Sequence, residues 1–121
     1  MSSFDGVPFK VIPKDGWFPE AEHDADGIPH YQCTAWLSSQ SALQGLRSRI
    51  AFVTVKRGRG ALAFTVHIEA GSPGALTVPV RGGIQQTYTA VLVGLTNVQG
   101  YGGMKKDQFM ADLDFIITSQ I

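Results

Sequence analysis

Glu22-His23-Asp24-Ala25-Asp26-Gly27 sets three acids at alternate positions ahead of a glycine, which is how a calcium-binding loop opens. Such a loop closes on a bidentate glutamate at its twelfth position. Counted from Glu22, that position is Cys33, the eighth is Pro29, and no helical pattern flanks the segment. The run therefore reads as a solvated acidic turn. His30-x-x-Cys33 offers two soft ligands, with His23 or Asp26 as a third. Zinc needs three or four ligands that converge, and the two-residue period of an extended chain sends His30 and Cys33 to opposite faces. Cys33 with His30 or His67 could form a thiol–imidazole pair. Yet Cys33 stands in a strand-like run between Gln32 and Thr34, with no helix N-terminus or glycine-rich turn to favour the thiolate. A buried structural cysteine is the expectation. Gly58-Arg59-Gly60 and Gly100-Tyr101-Gly102-Gly103 lack the lysine and following helix of a phosphate loop, and read as turns. No nucleophile elbow is present. The expectation is a non-enzymatic chain with no catalytic residue, metal or cofactor.

Charge offers a different kind of signal. The ten basic and ten acidic side chains cancel, which leaves no global attraction to nucleic acid or membranes. Their distribution is polar. Residues 1–30 carry Lys10 and Lys14 against Asp5, Asp15, Glu20, Glu22, Asp24 and Asp26, or −4. Residues 47–81 carry Arg47, Arg49, Lys56, Arg57, Arg59 and Arg81 against Glu69, or +5. Arg47 and Arg49 share one side if their segment is extended, and Lys56, Arg57 and Arg59 share one loop. Without a net positive excess this cluster is not expected to hold nucleic acid. An acidic protein surface suits it better. The acidic block is one such surface, met within one chain or between copies.

The elements that would position these groups are mostly strands. The 121 residues fit one domain, read as 1–121, with one core and no need of staples. The single cysteine excludes an internal disulfide, as in a reducing compartment. No apolar run nears the roughly 20 residues of a bilayer span, and Met1-Ser2-Ser3-Phe4-Asp5, with no basic start and no apolar stretch, does not read as a secretory signal. Residues 1–30 are rich in Pro, Gly and acids and read as an irregular acidic arm, with a short strand at 9–12 and anchors at Phe9, Val11, Trp17 and Phe18. Removing residues 1–28 should leave the remaining β core, 31–121, folded. Residues 30–37 read as a strand with Tyr31, Cys33 and Ala35 on one face. Residues 38–47 form the one plausible helix, with a serine N-cap, a stripe of Ala42, Leu43 and Leu46, and Gly45 to weaken it.

Residues 50–55 and 61–69 then make a hairpin around a glycine-containing loop. Leu62, Phe64, Val66 and Ile68 share one face of its second strand. Leu76, Val78 and Val80 alternate, and Pro79 marks an edge strand. Residues 87–96 are apolar on both faces, as in a strand covered on both sides. The last strand, 109–118, turns Phe109, Ala111, Leu113, Phe115 and Ile117 inward and Asp112 and Asp114 to water, with Met110 and Ile116 as apolar exceptions. Phe52, Phe64, Val66, Leu92, Leu113 and Phe115 are expected in the core. Six or seven strands joined by short turns predict a mainly β fold: an antiparallel β sandwich or barrel with one short helix and the irregular acidic N-terminal arm.

Leu76-Thr77-Val78-Pro79-Val80-Arg81-Gly82-Gly83, Tyr88-Thr89-Ala90-Val91-Leu92-Val93-Gly94-Leu95 and Met110-Ala111-Asp112-Leu113-Asp114-Phe115-Ile116-Ile117 share a pattern. The chain here resembles the small β-rich tail and baseplate subunits of tailed-bacteriophage virions. The resemblance implies a structural subunit, assembled in the host cytoplasm into the virion. It would contact copies of itself and neighbouring virion proteins, and build a ring or stack. A capsid decoration protein and a small β-fold binding or adaptor module are the alternatives. The interface candidates are Trp17, Phe18, Glu20, Glu22, Asp24 and Asp26 on the acidic block and Lys56, Arg57 and Arg59 on the basic one.

Cys33→Ser is expected to leave biological activity intact, and metal analysis of the purified protein to find no stoichiometric zinc or calcium. Stoichiometric metal that disappears when His30 and Cys33 are replaced together would overturn the metal-free reading.

Overall fold

Phe4-Asp5-Gly6-Val7 holds a two-residue hairpin turn. Asp5 and Gly6 have φ of 49° and 84°, the positive values that both central residues of a type I′ hairpin require. Glycine reaches them without strain and aspartate tolerates them. Phe4 and Val7 then face each other across β1 (Ser2–Phe4) and β2 (Val7–Ile12). The computed structural model describes residues 2–12, 30–57, 64–79, 83–100 and 108–120. Among these the chain continues as β3 (His30–Leu37), α1 (Gln40–Arg47), β4 (Phe52–Arg57), β5 (Phe64–Ala70), β6 (Gly74–Pro79), β7 (Gln85–Gly100) and β8 (Phe109–Gln120).

Six of the strands close an antiparallel barrel in the order β1-β2-β3-β8-β7-β6, with β6 returning to β1 through Ser3–Thr77 and Phe4–Leu76. A barrel this small is filled by its own side chains. Alternate residues supply them: Phe4, Phe9, Tyr31, Cys33, Leu76, Val78, Ala90, Leu92, Leu113 and Phe115 are all buried. Phe115 sits between two other rings, edge-on to Phe4 at 5.2 Å and stacked with Tyr31 at 6.4 Å. Full burial of each large apolar side chain stabilises the fold by roughly 1.5–3 kcal/mol.

α1 starts where Ser39 Oγ accepts a hydrogen bond from the Ala42 N–H at 3.1 Å, satisfying one of the first-turn donors. Its stripe of Ala42, Leu43 and Leu46 joins the barrel core. Gly45 serves a packing purpose as well as weakening the helix. A Cβ there would lie 3.1 Å from a methyl of Val7, so its absence lets α1 approach β2 closely.

The second layer lies outside the barrel. β4 and β5 pair only with each other among the described residues. Val53, Val55, Val66 and Ile68 pack over Ala51, Val91 and Ile116, with Val93 beside them. Val91 and Ile116 point outward from β7 and β8, so these strands carry apolar side chains on both faces. Ile116, an exception to strict alternation, is buried beneath this hairpin. Ala51 starts the layer: its N–H donates to the Leu92 carbonyl at 2.8 Å. Gly71, with φ of 76°, lies against Ala51 where any Cβ would meet its Cα at 3.1 Å.

The mainly β fold, the short helix, the hairpin and the doubly covered strand agree with the sequence expectations. Four others need correction. Residues 2–12 are not an irregular arm: β1 and β2 are barrel strands, so removing residues 1–28 would open the barrel. Residues 13–29 lie outside the described residues. Phe52 is not core: it is 70% exposed, because the two-residue period turns Ala51, Val53 and Val55 inward and Phe52, Thr54 and Lys56 outward. Val66 belongs to the outer cluster, half-buried, rather than to the barrel core. β6 is not an edge strand, since it lies between β1 and β7; Pro79 falls beyond the residues that β1 pairs, where a missing N–H breaks no β1 bond. Val80 and the side chain of Phe64 lie outside the described set.

Phe115→Ala should therefore lower the unfolding free energy by roughly 3–5 kcal/mol. Phe52→Ala should change it by less than about half a kcal/mol. Denaturant melts of the two variants check the pair.

Candidate functional site

The outward residues of β3 and β8 form a polar row that periodicity hints at and only register assembles. His30, Gln32 and Thr34 alternate on β3, and Asp112 and Asp114 on β8. The ladder sets Gln32 opposite Asp114 and Thr34 opposite Asp112. On the other side of β8, Gly94 and Thr96 of β7 pair with the same two aspartates. Asp112 accepts from Thr34 Oγ1 at 3.0 Å and from Asn97 Nδ2 at 2.8 Å. Asp114 Oδ1 lies 2.9 Å from His30 Nδ1, with both side chains half-buried.

Two irregularities in β7 shape this surface. Register shifts fall between Leu92 and Gly94 and between Thr96 and Gln99, and Asn97 has φ of 53°. Bulges of this kind bend a strand and re-aim its side chains. Asn97 is thereby turned to reach Asp112. The missing side chain of Gly94 leaves a depression of about 290 Å³ over Asp114, lined by Gln32, Cys33, Gly94, Thr96, Asp112, Leu113 and Asp114. Both carboxylates spend acceptor capacity on neighbouring strands, so the row acts first as cross-strand pairs that hold register. Among the described residues no three His, Cys, Asp or Glu side chains converge to hold a metal ion.

The earlier chemical candidates are dispersed. Cys33 is buried inside the barrel, while His30 faces outward to Asp114, as expected from strand periodicity. His67 lies on the exposed face of β5, a layer away from the thiol. The acidic sequence 22–27 lies outside the described residues.

The interface candidates divide likewise. Lys56 and Arg57 are not loop residues: they end β4, paired with Thr65 and Phe64 of β5, and Lys56 is exposed. Trp17, Phe18, Glu20, Glu22, Asp24, Asp26 and Arg59 lie outside the described residues. Arg47 belongs to the last turn of α1 rather than to an extended segment, so it does not share a strand face with Arg49. Arg49 instead bonds the Gly45 carbonyl at 2.7 Å and Asp5 Oδ2 at 3.2 Å. One member of each charge block thus meets within the chain, at an exposed pair worth about 0–1 kcal/mol. The outer hairpin carries Lys56 and Arg57 where its strands end, with Phe52 exposed at the other end of β4.

Sequence reasoning passed over the polar row because its pairs are 78 and 84 residues apart. The alternation of polar residues on each strand was the available signal. The Asp5-Gly6 turn was also missed, although an Asp-Gly pair between Phe4 and Val7 is a strong hairpin signal. No protein-family model, curated protein or solved structure matches the chain.

Asp112→Ala removes the common acceptor of Thr34 and Asn97, and should destabilise the protein by about 1–2 kcal/mol. Asp112→Asn, which keeps one acceptor, should lose less. Thermal or denaturant melts of the two variants measure the difference.

Proposed function

We propose that this chain is a non-enzymatic structural subunit of a phage-like particle, in its tail or baseplate, that self-associates into a ring or stack. The observation that carries the reading is the external β4–β5 hairpin. It sits on the barrel through a layer of valines and isoleucines; its first strand ends on the exposed Lys56 and on Arg57, with Arg59 two residues further on in the sequence. Residues 1–30 of the same chain carry the opposite charge, −4. Of that block, Asp5 is already engaged with Arg49. The remaining acids lie near Trp17 and Phe18 in sequence and are the partners for the hairpin of the next copy.

Such a contact joins two different patches. Repeated, it gives a closed ring or an open helical stack rather than a symmetric pair. The aromatic anchors supply most of the affinity, since exposed ion pairs give about 0–1 kcal/mol each. The charges set register and exclude wrong partners. The barrel itself provides a rigid body from which these elements project.

Charge reversal tests the contact without touching the barrel strands that a deletion would remove. Arg57→Glu with Arg59→Glu should slow assembly, and Glu22→Lys with Asp24→Lys in the same chain should partly restore it. Assembled particles in which residues 17–26 touch only their own subunit would overturn the contact. Electron microscopy that places the chain on the capsid exterior would replace the tail reading with a decoration one.

A further inference from the structure

The first strand of the external hairpin, β4, is self-complementary. Phe52-Val53-Thr54-Val55-Lys56 reads, about Thr54, as apolar or charged residue, valine, threonine, valine, charged or apolar residue. Val53 and Val55 face the barrel, while Phe52, Thr54 and Lys56 face out. Laid antiparallel against a second copy about a two-fold axis at Thr54, the strand puts Val53 opposite Val55 of that copy. It also puts Phe52 opposite Lys56 of that copy, both on the exposed face. Directly opposed side chains in an antiparallel pair lie about 4.5–5.5 Å apart at Cβ, which brings each ammonium over a phenyl ring. Symmetry makes this contact twice.

The edge is suited to it. β4 has no strand partner other than β5 among the described residues. A two-stranded sheet is marginal on its own, and further strands stabilise it. The register shift between Phe52–Ala70 and Val53–Ile68 leaves Glu69 as an extra residue on β5, so the bulge distorts β5 and leaves β4 regular. Bulges protect edges, and here the protected edge is β5. A lysine on an edge strand ordinarily discourages a second strand. In this register it meets an aromatic face instead of another lysine. Either hydrogen-bonding parity serves. If Thr54 directs its backbone groups outward, Thr54 pairs with its symmetry mate. If Val53 and Val55 do, those two pair across the axis. A lone exposed phenylalanine needs no explanation; the spacing of Phe52, Thr54 and Lys56 about one centre is what singles out this edge.

We infer that β4 pairs antiparallel with β4 of a second copy, centred on Thr54, to make a four-stranded intermolecular sheet in the order β5-β4-β4-β5. This rests on reading the chain as self-associating, and adds a two-fold contact to the head-to-tail one. It uses Lys56 and leaves Arg57 and Arg59 to the acidic block. Combined with a ring, the two-fold axis would join two rings face to face.

Cross-linking of the full chain tests the register. Thr54→Cys should form a disulfide-linked dimer under mild oxidation, in the background where Cys33 is replaced by serine. Ser72→Cys, in an exposed turn, should not. Phe52→Lys sets lysine against Lys56 and should weaken dimerisation, measured by sedimentation, about tenfold or more. Phe52→Lys with Lys56→Glu restores an opposite-charge pair and should recover it. Both positions are solvent-exposed, so folding is not at stake. Equal cross-linking at residues 54 and 72, or no rescue by the double variant, would overturn the pairing. The Arg57→Glu, Arg59→Glu protein should still cross-link through residue 54. Failure of the two-fold contact is thereby distinguished from failure of the head-to-tail one.

Discussion

Where β7 and β8 pair around Val91 and Ile116 they have to be apolar on both faces, and the two-layer architecture follows from that. Inward, Ala90, Leu92, Leu113 and Phe115 fill the barrel; outward, Val91 and Ile116 are as deeply buried. An outer face of this composition cannot be left in water without losing the favourable transfer of its side chains. The β4–β5 hairpin covers it with Val53, Val55, Val66 and Ile68. One wall therefore belongs to two cores. A polar substitution at Val91 or Ile116 would detach the hairpin while leaving the barrel lining untouched.

Closure imposes a second condition. Six strands can surround a core of this size only if they twist and coil, and the register shifts in the long β7–β8 ladder supply the bending. The same shifts place polar side chains where they can cross-link strands. Asn97 reaches Asp112 from a left-handed backbone position, and Gly94 keeps the surface above Asp114 open. The polar row over β3, β8 and β7 is thus a product of barrel geometry. Its hydrogen bonds resist register slip, which would turn Leu113 and Phe115 out of the core.

An external hairpin on a closed barrel separates two layers. The barrel carries stability in a contiguous core that includes α1. The hairpin is held by a thinner layer and exposes Lys56 and Phe52, and among the described residues β4 has no strand partner besides β5. A contact made there would leave the barrel lining undisturbed. In the proposed assembly the charge split along the chain would give such contacts direction, because unlike blocks attract and like blocks repel.

Much of this fold was legible residue by residue. Period-two alternation located β3, β5 and β8, the serine cap and the Ala42-Leu43-Leu46 stripe located α1, and the doubly apolar run 87–96 announced a strand covered on both sides. Asp5-Gly6 was legible too, but the surrounding prolines, glycines and acids disguised two barrel strands as loose chain. Local pattern could not decide which face of 50–55 turned inward. Phenylalanine outranks alanine in hydrophobicity, yet Ala51 is the buried residue, because its N–H bonds Leu92 and its Cα lies against Gly71. Nor could pattern decide that Pro79 sits in a strand flanked on both sides, or that Thr34 meets Asp112 and His30 meets Asp114. Alternation determines which residues share a face of one strand. Which strands become neighbours, and in what register, is set by long-range pairing, and only the closed barrel supplied it.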